Sequence, residues 1–197
     1  MRTFAIAAAV LMAGCVGVQA HDHLGPHFHA DMGIAGSTTS AEYLGDSQKL
    51  SGAGGAFSIA AGGAVAPNVI LGGELWGTAV SEPTLTVNGD SGTIPDTTYG
   101  VIGMGPTIKY YVMPANVFFS ATPSVTRMTF SDDNSDGAYR TEWGFGLRTS
   151  IGKEWQVAGG WGLGVAGVLD YASNKDQDVD ANWTTWGGGV VFSASFN

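Results

Sequence analysis

Four ionisable residues, Asp31, Glu74, Lys109 and Arg148, stand in segments that are otherwise apolar or built of small residues. With both signs represented, they suit a buried network of ion pairs, because an unpaired charge in a low-dielectric interior is costly. All four histidines fall within nine residues, at His21, His23, His27 and His29. If the chain matures after Ala20 it begins His21-Asp22-His23, so that the free amine, two amides and the His23 imidazole can surround Cu(II) or Ni(II) in a plane. A polar leader without metal is the plainer reading of the same residues. Further along, Asp132, Asn134 and Asp136 form the D-x-N-x-D-G opening of a Ca2+ loop. That loop needs a bidentate Glu at its twelfth position, where this chain has Trp143, with Glu142 one place early, so a solvated hairpin competes with it. Asp176, Asp178 and Asp180 make a second acidic loop.

Nucleophilic catalysis is poorly supplied. A serine nucleophile needs a nearby base, and no histidine follows His29, nor does any cysteine follow Cys15. A noncatalytic protein is expected. The chain has 197 residues, 44% hydrophobic and 13% charged, with 31 glycines, which excludes a disordered tail. A single cysteine excludes a disulfide scaffold. The net charge of -9 gives no support to a nucleic-acid partner held on a basic surface.

The first twenty residues divide into a basic start at Arg2, an apolar run from Phe4 to Met12 and a small-residue end, Val18-Gln19-Ala20, the layout of a secretory signal. We assign 1–20 to that signal, 21–26 to a short periplasmic segment and 27–197 to the folded domain. Leu11-Met12-Ala13-Gly14-Cys15 has the form of a lipobox, so lipidation at Cys15 is the competing route, and it would abolish the copper motif. No apolar run is long enough for a membrane-spanning helix, which needs about 20 residues.

After Ala20 apolar residues recur on every second position, the period of a strand. This predicts eight strands, near Phe28–Ala41, Leu50–Ala66, Val69–Val80, Tyr99–Val112, Val117–Phe130, Arg140–Ile151, Trp155–Tyr171 and Trp183–Phe196. Short connections, including Gly152–Glu154, alternate with longer polar ones at Leu44–Lys49, Ser81–Thr98, Ser131–Tyr139 and Ala172–Asn182. Such alternation describes an all-β, eight-stranded antiparallel up-and-down transmembrane barrel, closed because hydrocarbon offers no partner to an open edge. A soluble ligand-binding barrel would carry its apolar face inside. Here the apolar face runs unbroken while the other is small or charged, which places Asp31, Glu74, Lys109 and Arg148 in a narrow lumen at comparable height. They form either a plug or the lining of a narrow ion path. Trp143, Tyr171 and Trp183 toward the long loops, and Tyr110, Phe119, Trp155 and Phe196 toward the short turns, are expected as outward aromatics at the membrane interfaces.

The final segment, Val190, Phe192, Ala194 and Phe196 in alternation, resembles the end of the small Gram-negative outer-membrane barrels, the OmpA-type transmembrane domain and the OmpX-like proteins. Asn197 departs from their terminal aromatic. The resemblance implies the cell outer membrane, contact with its lipids and lipopolysaccharide, and handling by the barrel assembly machinery. Enzymes on such barrels use a serine with a histidine and an acid, a set the histidine positions here do not provide. The expected role is structural or surface-interacting through the acidic extracellular loops, which would bridge divalent cations to lipopolysaccharide phosphates. A porin-like narrow channel is the alternative.

Overall fold

The structure is a computed structural model that describes residues 23–43, 46–132 and 138–197. Eight long strands carry the fold: β1 (Pro26–Tyr43), β2 (Asp46–Ala66), β3 (Val69–Ser81), β6 (Thr97–Val112), β7 (Val117–Asp132), β9 (Gly144–Ala158), β10 (Trp161–Lys175) and β11 (Asn182–Phe196). Three short ones, β4 (Thr84–Val87), β5 (Asp90–Thr93) and β8 (Tyr139–Arg140), lie in the longer connections. Each long strand pairs antiparallel with its sequence neighbours, and β1 also pairs with β11, so the sheet returns on itself as a barrel. Among the described residues no helix is long and apolar enough to cross a membrane.

Period-two alternation sorts the side chains. Met32, Ile34, Ile59, Phe145, Leu169 and Phe192 point out and are exposed, whereas Asp31, Ser58, Glu74, Arg148 and Asp170 point in and are buried. A soluble protein would invert that arrangement. The long strands run from 13 residues in β3 to 21 in β2, beyond the roughly 9–11 that cross a bilayer. Their surplus, with the β4–β5 hairpin on β2, projects past one end of the barrel.

Two expectations are corrected. The hairpin between β9 and β10 turns at Gly159 and Gly160, both with positive φ, and not at Gly152–Glu154. Glycine enters that conformation at little cost, while Gly152 stays in the strand, paired with Ala166 on one side and Phe118 on the other, with the Phe118 ring 2.6 Å from where a Cβ would stand. The second concerns Trp183. Counting back from Phe196 by twos reaches Trp186, not Trp183. Trp183 turns inward to pack on Phe130 at 5.2 Å, and Trp186 takes the outward place, 4.8 Å from Tyr171. Tyr110, Phe119, Trp143 and Phe196 are exposed on the outer face, and Trp155 and Tyr171 are half-buried.

Candidate functional site in the barrel lumen

The centre of the lumen is organised by Arg148, brought inward by β9 and 2% exposed. Its guanidinium reaches Asp31 of β1 at 3.2 Å, Asp170 of β10 at 2.9 Å and Glu74 of β3 at 3.5 Å. Ser58 donates to Asp31 at 2.8 Å, Thr78 donates to Asp170 at 2.9 Å, and the Thr122 hydroxyl donates to Glu74. The carboxylates are thus held by hydroxyls on one side and by one guanidinium on the other, the arrangement that makes a buried ion pair tolerable. A void of about 10 Å³ beside Trp76, Thr78 and Asp170 has room for one water.

Lys109 faces the same lumen carboxylates, Glu154, Glu74 and Asp31, through charge and not through a hydrogen bond. Among the described residues its buried ammonium has no hydrogen-bond partner, and it lies 4.3 Å from the centre of the Phe118 ring. Three residues absent from the expected network belong to the same column. Glu154 accepts from Ser195 at 2.6 Å and from the Tyr111 hydroxyl, His29 lies 3.5 Å from both Glu154 and Asp31, and Asp170 completes the Arg148 cluster. The shifted β9–β10 turn explains two of the omissions. A turn at Gly152–Glu154 leaves Glu154 in a loop, whereas a turn at Gly159–Gly160 puts Arg148 directly opposite Asp170.

Below this level the chain preceding β1 folds into the barrel mouth. His23 is 2% exposed, stacks on Tyr111 at 3.6 Å, donates from Nε2 to Asn116 at 2.8 Å and accepts at Nδ1 from Asn197 at 2.5 Å. Both ring nitrogens of His23 are engaged in these hydrogen bonds, and His21 lies outside the described residues. Asn197 also bonds His27, so the residue after the terminal aromatic ties β11 to the start of the barrel.

At the opposite end Leu50, Val80, Tyr99, Val101 and Met128 form an apolar layer, covered by Leu85, Ile94, Phe130 and Trp183. Above it Asp176 gathers donors from two connections: the Tyr139 hydroxyl, the Trp183 indole at 2.9 Å, and the amides of Asp178 at 2.9 Å and Val179 at 3.2 Å. Asp176 is therefore committed to holding the loops together, and Asp180 sits 3.4 Å from Lys175. Burial works against the charged form of Asp176, but the hydrogen bonds outweigh it and hold the carboxyl below its ordinary value. Burial and the adjacent carboxylate push the Tyr139 hydroxyl up. A depressed carboxyl adds stability above its unfolded value and loses it as pH falls through the folded one. The Trp183 indole N–H resonance should therefore hold its folded position at neutral pH and shift as Asp176 protonates in acid; Asp176→Asn should already show much of that shift at neutral pH.

Asn134, Asp136 and Cys15 lie outside the described residues, while Asp132 ends β7. Among the described residues no group of three or more His, Cys, Asp or Glu is placed to hold a metal ion.

No protein-family model matches the chain, and no curated protein sequence matches it. Solved structures do. Neisserial surface protein A superposes with a TM-score of 0.54 at 14% identity, over 86% of this chain and 96% of that one. The outer membrane protein OprG from Pseudomonas aeruginosa gives 0.52 at 14% identity, over 92% and 100% respectively. At that identity the likeness speaks for the fold alone, that of the small outer-membrane β-barrels.

Proposed function

We propose, for a chain with the fold of the small outer-membrane barrels, that it is a noncatalytic protein of the cell outer membrane whose lumen is closed along its axis and whose partners are met at its acidic outer loops. The observation that carries this reading is the Arg148 cluster, which cross-links β1, β3, β9 and β10 through the middle of the lumen. An apolar layer lies above it and the His23–Asn116–Asn197 latch below. An ion crossing by this path would have to break both the charge cluster and the apolar layer.

The long-loop end is where the negative charge accumulates. Glu42, Asp46, Glu82, Asp90 and Asp96 are exposed there, beside the paired loop aspartates. That surface suits divalent cations shared with lipopolysaccharide phosphates, the occupant the reading favours. The β4–β5 hairpin gives it a rigid edge. Deleting residues 84–93 should remove calcium-dependent binding to lipopolysaccharide vesicles while the unboiled protein keeps its compact gel migration; undiminished binding would refute the loop role. In planar bilayers the intact protein should give no conductance steps across voltage. Steps that change with Lys109→Ala would instead favour the narrow pore, a reading supported by the unbonded Lys109 ammonium.

A further inference from the structure

Asparagine recurs along the chain, and most of the side chains the structure describes are held by hydrogen bonds. Asn68 accepts from the His23 amide at 3.1 Å, Asn88 donates to Asp46 at 2.8 Å, Asn116 to the Glu154 carbonyl at 3.3 Å, Asn174 to the Thr126 carbonyl at 2.8 Å and Asn197 to His23. Asn182 is different. Among the described residues its exposed side-chain amide meets no hydrogen-bond partner, so neither turn geometry nor packing accounts for an asparagine at the start of β11.

Asn182-Trp183-Thr184 has the N-x-T form at which an asparagine amide is glycosylated, and no other asparagine of the sequence has Ser or Thr two residues on. An amide nitrogen is a poor nucleophile because its lone pair is delocalised into the carbonyl, so the reaction needs a transferase that grips both the amide and that hydroxyl. The fold leaves both outside. Asn182, Thr184 and Trp186 share the outer face of β11, whereas Trp183 packs inward on Phe130 at 5.2 Å and Thr185 donates to Thr39 at 2.9 Å. Trp186, 62% exposed beside Tyr171, stands at the membrane boundary, and Asn182 lies four residues beyond it, roughly 13 Å along a strand. The acceptor is therefore in water at the long-loop end. An open cleft of about 460 Å³, bordered by Ser40, Glu42, Ser47, Asp180 and Thr184, adjoins it, so an attached sugar finds hydroxyl and carboxylate partners in open space.

We propose that Asn182 is a glycosylation site, which takes an oligosaccharide from a lipid-linked pyrophosphate donor during export, and that the folded barrel carries this sugar beside the Glu42–Asp180 cleft. In the transfer Asn182 Nδ2 bonds to the anomeric carbon as that carbon's bond to the pyrophosphate oxygen breaks. The pyrophosphate leaves with the electron pair, and the proton displaced from Nδ2 passes to a basic group of the transferase. The place of the sugar outside the hydrocarbon rests on the outer-membrane reading; the transfer requires only export.

Co-expression of the full-length chain with a periplasmic oligosaccharyltransferase and its lipid-linked donor tests it. Lys175 is the last basic residue of the sequence, so trypsin releases Asp176–Asn197 as one peptide with Asn182 as the asparagine in the motif. Mass spectrometry should find one oligosaccharide on that peptide, placed at Asn182 by fragmentation that leaves the sugar attached, and the modified protein should keep its compact migration in unboiled gels. Thr184→Val, which keeps the volume and removes the hydroxyl, should lower occupancy about tenfold or more, and Thr184→Ser should restore it. An unmodified wild-type peptide, while a known acceptor in the same cells is glycosylated, overturns the site, as does equal occupancy in Thr184→Val. Loss of compact migration on modification overturns carriage by the folded barrel. Because occupancy is read on the digested peptide, a variant that fails to fold still decides the matter. Glycosylated protein absent from the outer membrane would support the site and overturn the membrane reading instead.

Discussion

Replacing Arg148 with methionine should destabilise the barrel by about 3–5 kcal/mol, the range found when one partner of a buried ion cluster is removed. Methionine keeps an unbranched apolar stem but removes the guanidinium, whose carbon lies 5.8 Å from the centre of the Trp76 ring, so the loss is chiefly that of charge and hydrogen bonds. Asp31, Glu74 and Asp170 would then be three carboxylates facing one another, with hydroxyls but no guanidinium. The measurement is the urea midpoint for unfolding from vesicles, followed by the loss of compact gel migration. Adding Asp170→Asn to Arg148→Met should restore part of the loss, since it removes one uncompensated charge and leaves an amide for Thr78 to meet. A neutral Arg148→Met would mean that the cluster does not hold the lumen, and the closed-axis reading would lose its support.

A comparably large effect is expected from a single methyl group. Gly54→Ala would place a Cβ 1.8 Å from the Ala79 carbonyl oxygen of the adjoining strand, and backbone cannot swing aside as a side chain can. Overpacking of this kind typically costs about 1–3 kcal/mol, and in a closed ladder the displacement must be shared by β2 and β3, so the upper end is expected. The neighbouring residue is the control. A Cβ on Gly55 meets nothing nearer than the Gly33 carbonyl at 3.8 Å, so Gly55→Ala should be neutral or add a few tenths of a kcal/mol through the unfolded chain. Urea midpoints of the two variants check the contrast. Equal stability would show that the tight β2–β3 approach is not required.

The glycine pair also shows how far residue type alone can be read. A high glycine content and an inward small-residue face are visible in the alternation, which sets Gly54 inward and Gly55 outward, but how close each comes to the adjoining strand is decided only by folding. The charge cluster divides in the same way. Asp31, Glu74 and Arg148 stand at inward positions that period two identifies, whereas Lys109, equally inward, finds no hydrogen-bond partner. Asp170 and Glu154 are hidden from the sequence by an apparent short turn at Gly152–Glu154, which offsets the β9–β10 register; the glycines at 159 and 160, both at positive φ, mark the true turn. Closeness to a strand end suggests an outward Trp183, but its parity against Phe196 places it inside.

Strand number, the direction in which most side chains point and the alternation of short and long connections follow from the chain alone, because a strand's two-residue period is a local property that each segment carries whatever it pairs with. Which inward groups meet is a different matter. Asp31 and Arg148 are 117 residues apart and lie on strands that do not pair, so their contact exists only across a closed lumen. The fate of His23 is also decided there: a residue that reads as a polar leader becomes a buried latch once Tyr111 and Asn116 of the β6–β7 hairpin and Asn197 after β11 converge on it. Closure imposes this, since bringing the first strand to the last confronts groups that no local pattern relates.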